Sequence, residues 1–153
     1  MIQRIQTVYL LIVTGLALAS LFMPLAVVQS GDVFYAFDAS GMSTMTAPVE
    51  LVYPAWALMA LTGIISLLAL VTVFFYKKRI LQIRFCIFNA ILMIAFYGLF
   101  AFFVWKIATQ SETFHFSVRL ALSFPLIALI FDYLAIRNIG ADEVLVRSLN
   151  RLR

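Results

Sequence analysis

The chain has 153 residues, of which 65% are hydrophobic and 12% charged, and a formal net charge of +4; its mean hydropathy is +1.07. Water-soluble domains carry about 45–50% apolar and about 25% charged residues, so this composition excludes a soluble fold. A single cysteine, Cys86, excludes an intrachain disulfide and, with no cluster around it, implies no zinc site.

A spanning helix needs about 20 apolar residues, and the first predicted span covers residues 5–28. No charge lies between Arg4 and Asp32. Arg4 followed by Ala17-Leu18-Ala19 also suits a signal peptide. The apolar run continues through Leu21, Phe22 and Met23 to Val28, longer than a signal core, which favours an uncleaved helix. Gly15 and Ala19, four apart, would let a second helix approach closely.

Residues 29–53 form the predicted outer loop. It contains Asp32, Asp38 and Glu50 but no Lys or Arg. Asp32 to Asp38 is rich in strand formers and bounded by turn residues, so it reads as a short strand. Ser43 to Ala47 would return as its hairpin partner across Ala39-Ser40-Gly41. A lone hairpin is marginal in water and would have to rest on the helix ends or on a partner.

The second span is predicted over 54–76, with Pro54 in its first turn, where a missing N–H costs nothing. Tyr53, Trp56 and Tyr76 resemble interfacial aromatic belts. Lys77, Lys78 and Arg79 then form a tight basic turn. The third span, 80–105, carries Arg84 and Asn89 near its start. The fourth, 114–139, contains Arg119, Pro125, Asp132 and Arg137. It spans if Arg119 and Arg137 snorkel to opposite surfaces; their separation corresponds to about 27 Å of helix. Pro125 reads as a static kink. Gly140 reads as a helix stop and Asp142 as an N-cap. They would open an amphipathic tail over 141–153, with Arg147, Arg151 and Arg153 available for lipid headgroups.

The fold expected from these elements is an all-α membrane protein: four transmembrane helices and a short periplasmic β-hairpin-like loop between the first two. With the basic turn inside, nine cations fall on the cytoplasmic side: Arg4, Lys77, Lys78, Arg79, Arg84, Arg137, Arg147, Arg151 and Arg153. Lys106 and Arg119 fall outside. The positive-inside bias orients both termini to the cytoplasm and accounts for the basic balance without nucleic acid.

Asp132 is the sharpest candidate residue, because an acid inside a spanning helix is costly. It lies about 7.5 Å in from Arg137, and Arg84 sits at a similar depth on the third helix. The expected arrangement is an Asp132–Arg84 ion pair with Asn89 as a deeper polar neighbour; the functional alternative is a proton or cation site. His115 could share a helix face with Glu112 and Arg119, and reads as part of a solvated cap. Ser20, Thr62 and Ser66 read as helix-packing hydrogen bonders. No nucleophilic triad, paired carboxylates, metal cluster or phosphate loop can be assembled. The expectation is therefore a non-enzyme without a cofactor.

The opening residues, Met1-Ile2-Gln3-Arg4-Ile5-Gln6-Thr7-Val8-Tyr9-Leu10-Leu11, and the closing run from Asp142 to Arg153 resemble the ends of a Bacteroidetes family of small four-helix membrane proteins, DUF4293. The resemblance implies an inner-membrane location in a Gram-negative bacterium and brings no activity or catalytic residues. It gives the two ends weight as parts with a sequence-specific task.

The functional expectation is a non-catalytic inner-membrane component. It would bind another membrane protein, or a second copy, through the periplasmic loop and a basic tail with Lys77, Lys78, Arg79, Arg147, Arg151 and Arg153, the bilayer being its other partner. The alternative is a small oligomeric transporter or channel using Asp132, Arg84 and Asn89.

Overall fold

A computed structural model describes residues 3–30, 33–46, 48–76, 78–109 and 115–151. Four helices are long and apolar enough to cross a membrane: α1 (Gln3–Phe22), α2 (Trp56–Phe74), α3 (Arg79–Ala108) and α4 (Phe124–Arg151). They form a ring in which α1 and α3 each pack against both α2 and α4.

The fold is not all-α. The bundle carries a five-stranded antiparallel sheet, β1 (Ala26–Ser30), β2 (Val33–Phe37), β3 (Gly41–Thr44), β4 (Leu51–Pro54) and β5 (His115–Val118), in the order β4-β3-β2-β1-β5. The expected hairpin exists as β2 and β3, with Tyr35 opposite Thr44. Two further strands come from stretches that read as helix.

Residues 26–30 leave the first span because Pro24 cannot continue it. The helix ends at Phe22, and the apolar run beyond becomes β1, hydrogen-bonded on both sides by β2 and β5. Leu25, Ala26, Val27 and Val28 are all buried. A strand covered on both faces reads as a continuous apolar run, which is why it resembles more helix. Residues 115–118 likewise leave the fourth span to pair with β1 as β5. The Arg119 N–H donates to the Leu25 carbonyl at 3.0 Å, holding the start of α4 beside the end of α1.

The remaining differences have similar local causes. Pro54 closes β4, an edge strand where a missing N–H is tolerated, and α2 begins after Ala55. Pro125 is the second residue of α4, following a 3-10 turn over Leu120–Ser123, so it starts that helix rather than kinking it. Gly140 does not stop α4, which runs on to Arg151. The tail is thus the last turns of one helix and not a separate amphipathic one.

The turn between β2 and β3 is fixed by Asp38, whose Oδ1 accepts from the N–H groups of Ser40 and Gly41 and from the Ser40 hydroxyl. Gly41 has φ +146°, and a Cβ there would strike the Tyr53 carbonyl oxygen across the β3–β4 pair. Only glycine fits this position. Beneath the sheet, the far end of α3 supplies aromatic support: Phe100 lies edge-on to Phe37 at 5.4 Å, Phe103 to Tyr53 at 6.1 Å, and Phe116 of β5 is 6.2 Å from Phe100.

Candidate functional site

The interior of the bundle is divided. An apolar cluster on the sheet side includes Ala17 of α1, Leu58 and Ala69 of α2, Met93 and Phe96 of α3 and Ala128 of α4. A smaller cluster, toward the α2–α3 turn, comprises Leu10, Cys86, Ala135 and Ile139, with Val73 packed on it.

Between the two, each helix contributes one buried polar side chain. Thr14 lies between Leu10 and Ala17, Thr72 between Ala69 and Val73, Asn89 between Cys86 and Met93, and Asp132 between Ala128 and Ala135. On α1, α3 and α4 the flanking apolar residues lie one turn to either side of the polar position; on α2, Thr72 lies one turn from Ala69 and next to Val73. The four residues therefore form one layer across the bundle.

Two hydrogen bonds fix the register of α3 against α4. The Tyr97 hydroxyl donates to the Leu122 carbonyl at 2.8 Å, and an Arg79 guanidinium nitrogen donates to the Asp142 carbonyl at 3.0 Å. Asp132 is midway between Leu122 and Asp142 on α4. The midpoint of Arg79 and Tyr97 on α3 is Phe88, between Cys86 and Asn89. The Cys86 thiol lies close enough to the Asp132 carboxyl to interact with it.

The layer is incompletely satisfied. Both carboxyl oxygens of Asp132 and both polar atoms of the Asn89 carboxamide are buried without a hydrogen-bond partner, as is Oε1 of Gln82 one layer toward the turn. Asp132 has no solvent exposure at all. Thr14 and Thr72 donate their hydroxyl protons within their own helices, to the Leu10 and Leu68 carbonyls at 2.9 and 2.6 Å. Buried polar groups are overwhelmingly hydrogen-bonded in folded proteins, and an unpaired acid in an apolar interior is among the costliest arrangements. Five such atoms in one small region are the chief anomaly of the bundle.

The expected Asp132–Arg84 pair does not form. Arg84 is exposed and lines a groove of about 690 Å³ with Tyr76, Lys78, Arg79, Glu143 and Val146. In this register Arg84 is level with Arg137, about one turn from Asp132, and its face is wrong as well. Gln82, Cys86 and Asn89 point inward at helical spacing, and Arg84, two residues from both Gln82 and Cys86, lies about 160–200° away. Asn89 is buried on the inward face of α3, without a hydrogen bond to Asp132.

A second polar contact closes the end of the bundle away from the sheet. Asp142 is buried and accepts at Oδ2 from the Gln6 side-chain amide at 2.8 Å, while its carbonyl accepts from Arg79. This residue ties α1, α3 and α4 together and does not cap a new helix. Gln6, Gln82, Thr14 and Thr72 were not singled out by sequence; the inward spacing of Gln82, Cys86 and Asn89 was the available signal.

Among the basic candidates, Lys78 and Arg79 line the groove. Lys77 and Arg153 lie outside the described residues, as do the side chains of Arg147 and Arg151. His115 is exposed on β5 rather than on a helix, and Glu112 lies outside the described residues. Thr62 and Ser20 donate to carbonyls of their own helices, at 2.8 Å each, and do not bridge to a neighbour. Among the described residues no group of three or more His, Cys, Asp or Glu is placed to hold a metal ion.

No curated protein and no solved structure matches the chain. A family model does, over residues 2–152, which include all four helices and the sheet; the chain belongs to the family described as Domain of unknown function (DUF4293).

Proposed function

We propose that this protein is a non-catalytic component of a bacterial inner membrane that binds a different membrane protein through the open edge of its sheet. The observation that carries this reading is β4. It is an edge strand, and Leu51 and Val52 are both more than half exposed, with Val49 at 72% just before them. An uncovered edge with apolar side chains is a template for another strand. β4 also runs into α2 through Ala55 alone, and Trp56 at the head of α2 is 73% exposed. Such an edge sits at the height of the helix ends, within reach of a neighbour anchored in the same bilayer.

Orientation follows from charge. Lys106 and Arg119 are at the sheet end, while Lys78, Arg79, Arg84 and Arg137 belong to the other. With the basic end in the cytoplasm, both termini are cytoplasmic and the sheet is periplasmic. Lys78, Arg79 and Arg84 in their groove then face the headgroup region of the inner leaflet, where basic side chains attract anionic lipid.

The test is a photo-reactive amino acid at Leu51 of the full chain in its native membrane, with Val52→Lys as the edge-breaking variant. The expected result is a cross-link to one membrane protein of different mass, lost in the variant while the sheet's thermal unfolding is retained. A cross-link only to a second copy, or a pattern unaffected by Val52→Lys, overturns the reading.

A further inference from the structure

We propose that the layer of Asp132, Asn89, Thr14 and Thr72 is a binding site inside the helix bundle for a monovalent cation, sodium ion or proton, loaded from the end of the bundle that carries Lys78 and Arg79. The proposal is independent of what binds the sheet edge.

The charge comes first. Asp132 is fully buried, and neither oxygen has a nitrogen or oxygen partner; the Cys86 thiol beside it is a weak donor and carries no positive charge. An isolated ionised carboxylate in such surroundings is strongly disfavoured, and a buried charge is tolerable only when neutralised. One carboxylate needs one positive charge. No second acid stands in the layer, so a divalent ion would leave a net positive charge in the apolar interior.

The neighbouring helices do not supply that charge. From α3 the titratable group facing Asp132 is the Cys86 thiol, while Arg84 is turned outward into the groove. From α1, Thr14 and Leu10 face inward and Tyr9 packs on the adjoining cluster. From α2, Thr72 and Ala69 are buried and Val73 is half-buried there. None of these is a cation.

The donor atoms fit the ligand class. Asp132 offers two carboxylate oxygens and Asn89 a carbonyl oxygen, all unpaired. Thr14 and Thr72 donate their protons along their own helices, leaving oxygen lone pairs without a proton in front of them. Hard oxygen donors of this kind suit ions that bind through oxygen rather than through nitrogen or sulfur.

Access is one-sided. Toward the basic end the polar atoms continue, with Gln82 Oε1 buried and unpaired and then the Gln6–Asp142 contact. Toward the sheet the buried hydroxyls of Ser20 and Thr62 are spent on carbonyls of their own helices, and Ser66 is the other buried hydroxyl there. The layer meets Met93, Phe96, Phe100 and Ala128, all buried, and the sheet lies beyond. Outside the layer, unpaired buried polar atoms lie on the basic side alone among the described residues, which favours entry and exit by that side. The site is thus a receptor for an ion and not a pore.

The test uses the wild-type chain in lipid vesicles. Dicyclohexylcarbodiimide, an apolar reagent that attacks protonated carboxyls in apolar surroundings, is applied and the adducts are located by peptide mass mapping. The expected adduct is at Asp132, forming faster as pH falls. Its formation slows several-fold when sodium chloride replaces choline chloride at equal ionic strength and pH. Asn89→Leu should abolish the sodium protection and keep the pH dependence; if that variant does not fold, the wild-type comparison decides alone. A wild-type rate that follows pH but ignores sodium supports the site with the proton as its ligand. No adduct at Asp132 at any pH, or a rate indifferent to both pH and sodium, overturns the proposal.

Discussion

α4 buries two aspartates, and their surroundings are opposite. Asp142, near the basic end, accepts from Gln6 while its backbone carbonyl accepts from Arg79, so the acid binds three helices to one another. Asp132, midway along, reaches no nitrogen or oxygen partner and has only the weak Cys86 thiol beside it. A satisfied buried polar contact rigidifies a core, whereas an unsatisfied one is a liability unless something completes it. The same residue type on the same helix thus acts as a fastening in one place and as an incomplete site in the other, and the difference lies entirely in what the facing helices present.

The sharpest way to break this contrast is to make both positions apolar and follow thermal unfolding in detergent. Asp142→Leu strands the Gln6 amide and should lose about 2 kcal/mol, the usual effect of orphaning a buried partner of a charged group. Asp132→Leu removes an acid whose one facing donor is the weak Cys86 thiol. It should be neutral or raise stability, by about 1 kcal/mol, as replacing buried charge with a well-packed apolar group commonly does. A loss at Asp132 as large as that at Asp142 would show that Asp132 has a structural partner.

Smaller effects sharpen the same distinction. Arg79→Ala should cost about 1 kcal/mol, one hydrogen bond to the Asp142 carbonyl, and the effect should shrink when measured on top of Asp142→Leu if the end of the bundle loosens as a unit. Arg84→Ala should change stability by less than about 0.5 kcal/mol, as for an ordinary exposed substitution. Breaking a buried ion pair instead costs about 3–5 kcal/mol. A loss of that size at Arg84 would restore the Asp132–Arg84 pairing.

Four long apolar helices, the basic turn and the buried character of Asp132 were legible from the sequence, because length, hydropathy and the cost of charge act locally along the chain. The surroundings of Asp132 were not, since neither the offset between α3 and α4 nor the angle around each helix is carried by hydropathy: Arg84 is about one turn from Asp132 in height and on the wrong face. The sheet was half legible. β2 and β3 are adjacent and joined by a recognisable Asp38–Gly41 turn, but β1 and β5 are the tail of one apolar run and the head of another. Hydropathy alone assigns both to helices. Two prolines carry the signal: Pro24, on which no reading is placed, ends α1 early, and Pro125, read as a kink, starts α4 late; each exposes a strand's worth of chain.

The strand order has a consequence for biosynthesis. β1 pairs with β2 on one side and with β5 on the other, and roughly ninety residues separate β1 from β5. At the usual ~5–20 residues per second of translation, that interval is on the order of 5–20 s, during which α2 and α3 must be made and inserted while one side of β1 waits unpaired. The last strand to emerge is therefore the one that completes the sheet, and α4 is threaded only after it. A ribosome stalled within α3 would leave a nascent chain with four strands formed and a raw edge at β1, an intermediate that pulse-labelled protease protection would distinguish from the finished protein.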